Sequence, residues 1–317
     1  MEGFSPELSC PTPRLKGGVA LSGGKDSLLL LSLLVERDGC DRWVALHIDH
    51  GVRVAESREE ECRHVDHVCK ALGVDLRRQT LPSGQGSSEE AMRDARYRAL
   101  GELSVGLECI ALGHHVLDQV ETILMKILRG CDLGALEGMR ASFEREGVAF
   151  VRPMLHWSEE EFLGMRGHEE NSPFEDPSNG DPRYLRNRVR SELLPLLESL
   201  SPGWVGRLAG LGESAQVWKN GLEARLKELN LSQPWESMGE EHYRTPRGWL
   251  MALDPYLLKA WCREQLEWAC GGAGRITRKH VDSFAEFAKS GDLGSHHLNF
   301  PGGWRLRGQK RWLHLLR

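Results

Sequence analysis

Gly17-Gly18-Val19-Ala20-Leu21-Ser22-Gly23-Gly24-Lys25-Asp26-Ser27-Leu28-Leu29-Leu30-Leu31 is a short apolar run, a polar loop and a leucine-rich stretch, in that order. Residues 17–21 read as a buried strand and residues 26–37 as a helix. Gly23 and Gly24 let the backbone turn tightly and approach an anion with no Cβ in the way. The unpaired N–H groups and positive end of the following helix favour phosphate there. Ser22 and Ser27 add hydroxyl donors, and Asp26 supplies a carboxylate able to hold Mg²⁺ near the phosphates. A Walker A loop needs G-x-x-x-x-G-K-[ST], but Gly24-Lys25 is followed by Asp26 and position 19 is valine. The G-x-G-x-x-G dinucleotide spacing is not met either. A plain glycine turn is the non-functional alternative, and the strand–loop–helix setting weighs against it.

Outward from this loop, residues 43–48 (WVALHI), 75–81 and 109–113 (CIALG) read as further strands. Helices alternate with them. One is capped by Ser57 with Glu60 and ends at Gly73; another covers residues 89–103 behind a second capping box, Ser87 with Glu90; a third covers 118–129. That alternation predicts an α/β fold with a Rossmann-like, doubly wound parallel sheet. Such sheets bind ligands at the carboxyl ends of their strands. Three polar clusters fall there: residues 22–27, Asp49-His50-Gly51, and the run from His114 to Glu121. A strand at 148–151, a short helix near 158–168 and a basic helix start from Tyr184 to Arg190 follow. Pro202-Gly203 marks the expected domain boundary, giving domains 1–201 and 202–317. The second domain reads as mainly helical, over 208–229 and 255–270, with a final Gly/Trp/Arg-rich segment that reads as β.

A chain of 317 residues suggests two or three domains. Its opening residues have no basic start and no apolar h-region, and the longest apolar run falls short of the roughly 18 residues of a membrane span. The expectation is a cytoplasmic protein with no membrane partner. None of the eight cysteines forms a C-x-x-C pair, so they are expected to be reduced thiols. Cys62, His64, His67 and Cys69 sit on one predicted helix but do not share a face, which argues against zinc. Net charge is −5, unevenly spread. Residues 1–200 carry 24 Lys and Arg against 34 Asp and Glu, and residues 201–317 carry 17 against 12. A basic C-terminal piece is compatible with a polyanionic partner.

SGGKDS is similar to the SGGxDS motif of PP-loop ATP pyrophosphatases, which cleave ATP between the α and β phosphates. Later motifs resemble one branch of that class, the tRNA(Ile)-lysidine synthase family. They are His47-Ile48-Asp49-His50-Gly51-Val52-Arg53 with Ser57, Glu89-Glu90-Ala91 with Ala95-Arg96-Tyr97, and Gly113-His114-His115-Val116-Leu117-Asp118-Gln119-Val120-Glu121-Thr122. Leu128-Arg129-Gly130, Leu136-Glu137-Gly138-Met139, Arg152-Pro153-Met154-Leu155 and Glu175-Asp176-Pro177-Ser178-Asn179 continue the match, which ends with Tyr184-Leu185-Arg186-Asn187-Arg188-Val189-Arg190. The resemblance is collinear from about Val19 to Pro195, and Leu298-Asn299-Phe300-Pro301-Gly302-Gly303 is similar to the family's LPGG turn. The chain ends at Arg317 and looks like the short form of the family.

The resemblance implies that ATP and Mg²⁺ adenylate C2 of the wobble cytidine in tRNA(Ile) with a CAU anticodon, and that free L-lysine then displaces AMP. It assigns Ser22, Gly23, Gly24, Lys25, Asp26, Ser27 and His47 to ATP, with Asp26 also the metal ligand. Arg96 and His114 become active-site residues, the alternative for Arg96 being a helix-surface arginine paired with a Glu; Asp118 and Glu121, three apart on one helix face, are assigned to the lysine amine, the alternative being an N-cap and a solvated first-turn acid. Tyr184, Arg186, Arg188 and Arg190 become tRNA contacts, since arginine clusters grip phosphate backbones. Trp304, Arg305, Arg307, Lys310, Arg311 and Trp312 are expected to serve likewise or to form a solvated basic strand. Leu117 departs from the family, which usually has a polar residue there. A tRNA thiolation enzyme is the nearest competitor, but its catalytic cysteine pairs are missing. A catalytically silent RNA-binding protein is the alternative from another class. Oligomeric state stays open, a homodimer included.

Overall fold

The computed structural model describes residues 8–49, 55–81, 89–166, 185–232, 235–271, 276–290 and 297–317. His50 to Arg53, Ser87, the 175–179 loop and Tyr184 lie outside the described residues, as do the side chains of Ser57 and Glu90. The chain divides into two compact units, Met1–Gln216 and Val217–Arg317, and the turn at Pro202-Gly203 belongs to the first.

The first unit is built on β1 (Gly17–Ala20), β2 (Trp43–Asp49), β3 (Asp75–Thr80), β4 (Ile110–Ala111), β5 (Ser142–Arg145) and β6 (Val148–Val151). Their order is β3-β2-β1-β4-β6-β5, parallel throughout except for β5, which returns antiparallel beside β6. Between the strands run α1 (Lys25–Asp38), α2 (Ala55–Leu72), α3 (Glu89–Leu103) and α4 (Val116–Arg129). Strands β1 and β2 are buried along their whole length because helices cover both faces. Val19 and Ala45 pack with Leu28, Leu31 and Leu34 of α1, while the alternate residues Ala20, Val44 and Leu46 pack with Ala99 and Leu100 of α3. Each fully buried leucine contributes roughly 1.5–3 kcal/mol, so the α1 stripe holds the loop before it in place.

The chain leaves β1 toward β2 and β3, then crosses to β4 on the other side. The reversal of strand order therefore lies between β1 and β4, and a crevice opens at their carboxyl ends. The loops after β1 and β4 both end there. Then follow α5 (Glu159–Arg166), with a Ser158/Glu161 capping box, α6 (Leu185–Arg188), a π-helical turn (Val189–Leu193), α7 (Leu194–Leu200) and α8 (Trp204–Ser232).

The second unit combines helices with a five-stranded antiparallel sheet. Its strands β7 (Glu236–Gly239), β8 (His242–Pro246), β9 (His297–Asn299), β10 (Arg305–Gly308) and β11 (Trp312–Leu316) are ordered β7-β8-β11-β10-β9. They pack with α9 (Gly248–Ala252), α10 (Pro255–Cys270) and α11 (Arg278–Lys289) around Trp261, Phe284, Leu306 and Leu313. Alternation along β10 turns Leu306 inward and Arg305 and Arg307 outward. Trp304 is a core residue, buried in that cluster, rather than a surface contact. Among the described residues no helix is long and apolar enough to cross a membrane.

Candidate active site

The loop after β1 is closed by its own serines. Ser27 Oγ donates to the Gly24 carbonyl (2.9 Å), the Ser22 backbone N–H donates to Ser27 Oγ (3.2 Å), and the two hydroxyls stand 3.2 Å apart. Gly23 adopts φ +75°, a left-handed conformation that favours glycine. Gly24 is the N-cap of α1 and offers no side chain to its first amides, so the helix start is shaped for an external anion. His47 reaches the same loop from beneath. It is fully buried in β2, and its Nδ1 donates to the Leu21 carbonyl at 2.9 Å.

Gly113 follows β4 and lies against that loop. A Cβ there would meet the Asp26 carbonyl oxygen at 2.9 Å and Ser27 Cα at 3.1 Å. This close approach carries the next residues, His114 and His115, up to Asp26. His115 is the one whose importance the sequence reading missed. Its Nδ1 accepts from the Leu117 backbone N–H (3.2 Å), which leaves the ring hydrogen on Nε2. Nε2 stands 3.3 Å from Asp118 Oδ2 and 3.5 Å from Asp26 Oδ2. The ring is stacked on Phe162 at 3.8 Å, and the Asp118 carboxylate accepts from its backbone N–H at 3.2 Å. His115 is thus the helix cap and the bridge between two carboxylates; the spacing His115-x-x-Asp118 of a capping box was the available signal. His115→Ala is expected to lower the melting temperature by about 2–6 °C through the lost cap. It should also slow turnover about tenfold, because the two carboxylates lose the imidazole that stands between them. Wild-type turnover in that variant would exclude the bridging role.

His114 points to a different group. Its Nδ1 accepts from Arg152 Nε at 3.1 Å. Burial, and then the charges of Arg152, Arg96, Arg186 and Arg93, hold its imidazole well below its ordinary pKa, so it is neutral. Arg152 is anchored by the Arg140 carbonyl (2.5 Å) and lies over the Phe143 ring at 4.5 Å. A neutral histidine among four arginines adds no charge to that group.

Glu121 is 1% exposed and holds a cation. Arg190 Nε donates to its Oε1 at 2.6 Å and Arg190 Nη2 to its Oε2 at 2.9 Å, while Arg186 Nε stands 3.7 Å away. Arg190 also reaches Asp118 Oδ1 at 3.5 Å. Arg186 and Arg190, four apart, face the carboxylates; Arg188 faces outward and pairs with Glu192. The π-helical turn begins immediately before Arg190, a local widening often found at functional positions.

Three motif residues have structural work. Gln119 is buried, accepts from the Met139 N–H (2.7 Å) and donates to the carbonyls of Glu137 and Met139, so Leu136-Glu137-Gly138-Met139 is a clasp on α4. Leu117 packs against apolar clusters on both sides of α4, which explains a leucine where the family is usually polar. Asp49 accepts from Arg58 Nε at 3.0 Å, tying the end of β2 to α2.

His114 and His47 both have folded pKa values below the unfolded value of about 6.5, through burial first. The unfolded chain therefore binds more protons at mildly acid pH. Their contribution is complete above about pH 6.5 and is lost as pH falls below it, at up to about 1.4 kcal/mol per pH unit for each group. The urea midpoint should fall between about pH 7.5 and 5.5, and a flat midpoint would contradict the buried neutral assignment.

The PP-loop domain family matches residues 7–197. The chain is 39% identical over 262 residues to the tRNA(Ile)-lysidine synthase of Bordetella parapertussis, covering 78% of this chain and 74% of that protein. The tRNA(Ile)-lysidine synthase of Parasynechococcus marenigrum is 31% identical over 309 residues, 92% of this chain and 86% of its own. Among solved structures, the U34-tRNA thiolase NcsA from Methanococcus maripaludis with its 4Fe–4S cluster has a TM-score of 0.51 over 65% of this chain and 72% of its own, at 18% identity. At that identity the likeness speaks for the fold alone.

Proposed function

We propose that this chain, which belongs to the tRNA(Ile)-lysidine synthase family of PP-loop enzymes, joins free L-lysine to C2 of the wobble cytidine in tRNA(Ile) with a CAU anticodon. The cytosine C2 oxygen attacks the α-phosphorus of ATP and pyrophosphate leaves. The lysine ε-amine then attacks C2, the C2–O bond breaks with loss of AMP, and the amine gives up a proton. Adenylation is needed because the carbonyl oxygen of cytosine is otherwise a poor leaving group.

The observation that carries this reading is the buried carboxylate of Glu121, one turn beyond Asp118 and nearly two turns into α4 from His115, already binding a side-chain cation. Its geometry suits a lysine ammonium, which would exchange with the Arg190 guanidinium and release Arg190 toward RNA phosphate. Residues 22–27 would hold the departing pyrophosphate. Arg96 and the arginines about His114 would stabilise the charge on the phosphates. Among the described residues no cluster of three His, Cys, Asp or Glu is arranged for a metal. Mg²⁺ usually takes one or two carboxylates plus phosphate oxygens; Asp26, a hard oxygen donor at the loop, fits that demand and would hold it, the ion supplying charge neutralisation. The basic second unit is read as the tRNA-binding part, and the protein would meet its tRNA in the cytoplasm. The test is pyrophosphate release from ATP with and without tRNA(Ile) and lysine. Dependence on the tRNA, with continued turnover requiring lysine, is expected. Release without tRNA, or a requirement for sulfide or glutamine, would sink the reading.

A further inference from the structure

The second unit contains a cavity of about 240 Å³ lined by Asn230, Trp235, Tyr243, Glu264, Gln265 and Trp268. It is smaller than the roughly 300–1,000 Å³ of pockets for drug-sized ligands, so it has room for one ring system. Its walls are aromatic and held in place. Trp235 Nε1 donates to Gln265 Oε1 (2.8 Å), Gln265 Nε2 to Asn230 Oδ1 (3.3 Å), and Trp261 Nε1 to the same Asn230 oxygen (2.9 Å). Trp235 is stacked on Trp261 with ring centres 5.8 Å apart, which ties that wall to the core.

Trp268 differs from these. It is 52% exposed on α10, set edge-to-face with Tyr243 at 5.0 Å, and leaves much of an indole open to solvent. An exposed aromatic beside a cavity is a stacking platform, and base–aromatic stacking is worth about 1–3 kcal/mol per base. Glu264 brings a carboxylate to the same cavity, and its Oε2 accepts from Asn230 Nδ2 at 2.8 Å. A carboxylate accepts about four hydrogen bonds, so it has capacity for the N–H edge of a heterocycle. The surrounding unit is basic: residues 217–317 carry 16 Lys and Arg against 11 Asp and Glu. An aromatic niche with one carboxylate, in a unit whose overall charge is positive, suits a ligand that carries phosphates beside a neutral, donor-bearing ring.

We propose that this niche takes one unpaired RNA base, stacked on Trp268 with an edge toward Tyr243 and held at an N–H edge by Glu264. The inference rests on the reading of the chain as a tRNA-modifying enzyme and adds a second point of RNA contact, apart from the cytidine that reacts. The base would enter from a loop or end of the tRNA, where bases can leave the stack.

The test uses the full chain and two fluorescein-labelled pentamers, oligo(A) and an abasic strand with the same number of phosphates, at about 0.3 M salt to weaken phosphate contacts. Wild type should bind oligo(A) at least about fivefold more tightly than the abasic strand, as expected for one stacked base. Trp268→Ala should bring that ratio close to one, Trp268→Phe should preserve it, and Glu264→Gln should reduce it about two- to fivefold. An unchanged ratio in Trp268→Ala would overturn the proposal. Lysine incorporation into tRNA(Ile) by wild type, run in parallel, separates the two claims. Incorporation with an unchanged Trp268→Ala ratio rejects the niche alone; a collapsed ratio without incorporation rejects the proposed reaction and leaves the niche standing.

Discussion

Asp26→Ala is expected to slow tRNA-dependent pyrophosphate release by roughly 100–1,000-fold, the usual loss when one electrostatic stabiliser of developing charge is removed. Asp26 sits at the start of α1, where the Ser22/Ser27 contacts shape the loop without its carboxylate. Its side chain is part-exposed and meets His115 Nε2 at 3.5 Å, so its loss leaves the packed core intact. The melting temperature should therefore drop by no more than about 4 °C. Asp26→Asn separates charge from shape: the amide keeps the volume but cannot hold a hard cation as a carboxylate does. Both variants should be similarly slow. Near-wild-type rates in Asp26→Asn would remove the carboxylate from the phosphate chemistry.

Glu121→Ala should leave tRNA-dependent pyrophosphate release within about threefold of wild type in a single turnover, while lysine transfer falls by about 100-fold or more. The asymmetry is the point. Glu121 belongs to α4 rather than to the loop, and holds a guanidinium through two charge-assisted hydrogen bonds. Such bonds are worth roughly 1.5–3 kcal/mol each, or about 10–150-fold in rate or affinity. Removing a buried partner leaves the other charge uncompensated, but Arg190 is half-exposed and can turn to solvent, which limits the loss of stability. Equal loss in both half-reactions would instead assign Glu121 to the architecture of the site. Asp118→Ala is expected to disturb both steps, because Asp118 also accepts from the backbone of His115 and receives Arg190.

The parallel sheet was legible because its signals are local and repeated. Largely apolar strands at β1 and β2, a leucine stripe on α1 and glycines at strand ends each have one easy reading, and they agree. The adjacency of the loop and the His114–Glu121 run was legible through the carboxyl-end rule for such sheets. Side-chain direction was harder. His114 and His115 are neighbours with opposite tasks, one tied to Arg152 and one bridging Asp26 to Asp118; nothing local distinguishes them until Gly113 is seen against Asp26. Arg186, Arg188 and Arg190 read as one basic patch, yet helical spacing sends Arg188 away from the other two. The clasp between Gln119 and residues 137–139 joins segments 18 to 20 positions apart, a pairing no periodicity reveals. In the second unit the strands β7 and β8 are short and polar, and carry little of the apolar alternation by which a strand is recognised.

The central claim is that the crevice between β1 and β4 joins lysine to an adenylated cytidine. It is tested most directly by incubating the full chain with ATP, isotopically labelled lysine and either tRNA(Ile) with its CAU anticodon or the same transcript with uridine at the wobble position. Label should enter only the first RNA, and nuclease digestion should place it on the wobble nucleoside with one AMP and one pyrophosphate formed per lysine. Label entering the uridine transcript equally, or ATP consumed with no lysine attached to either RNA, would contradict the account.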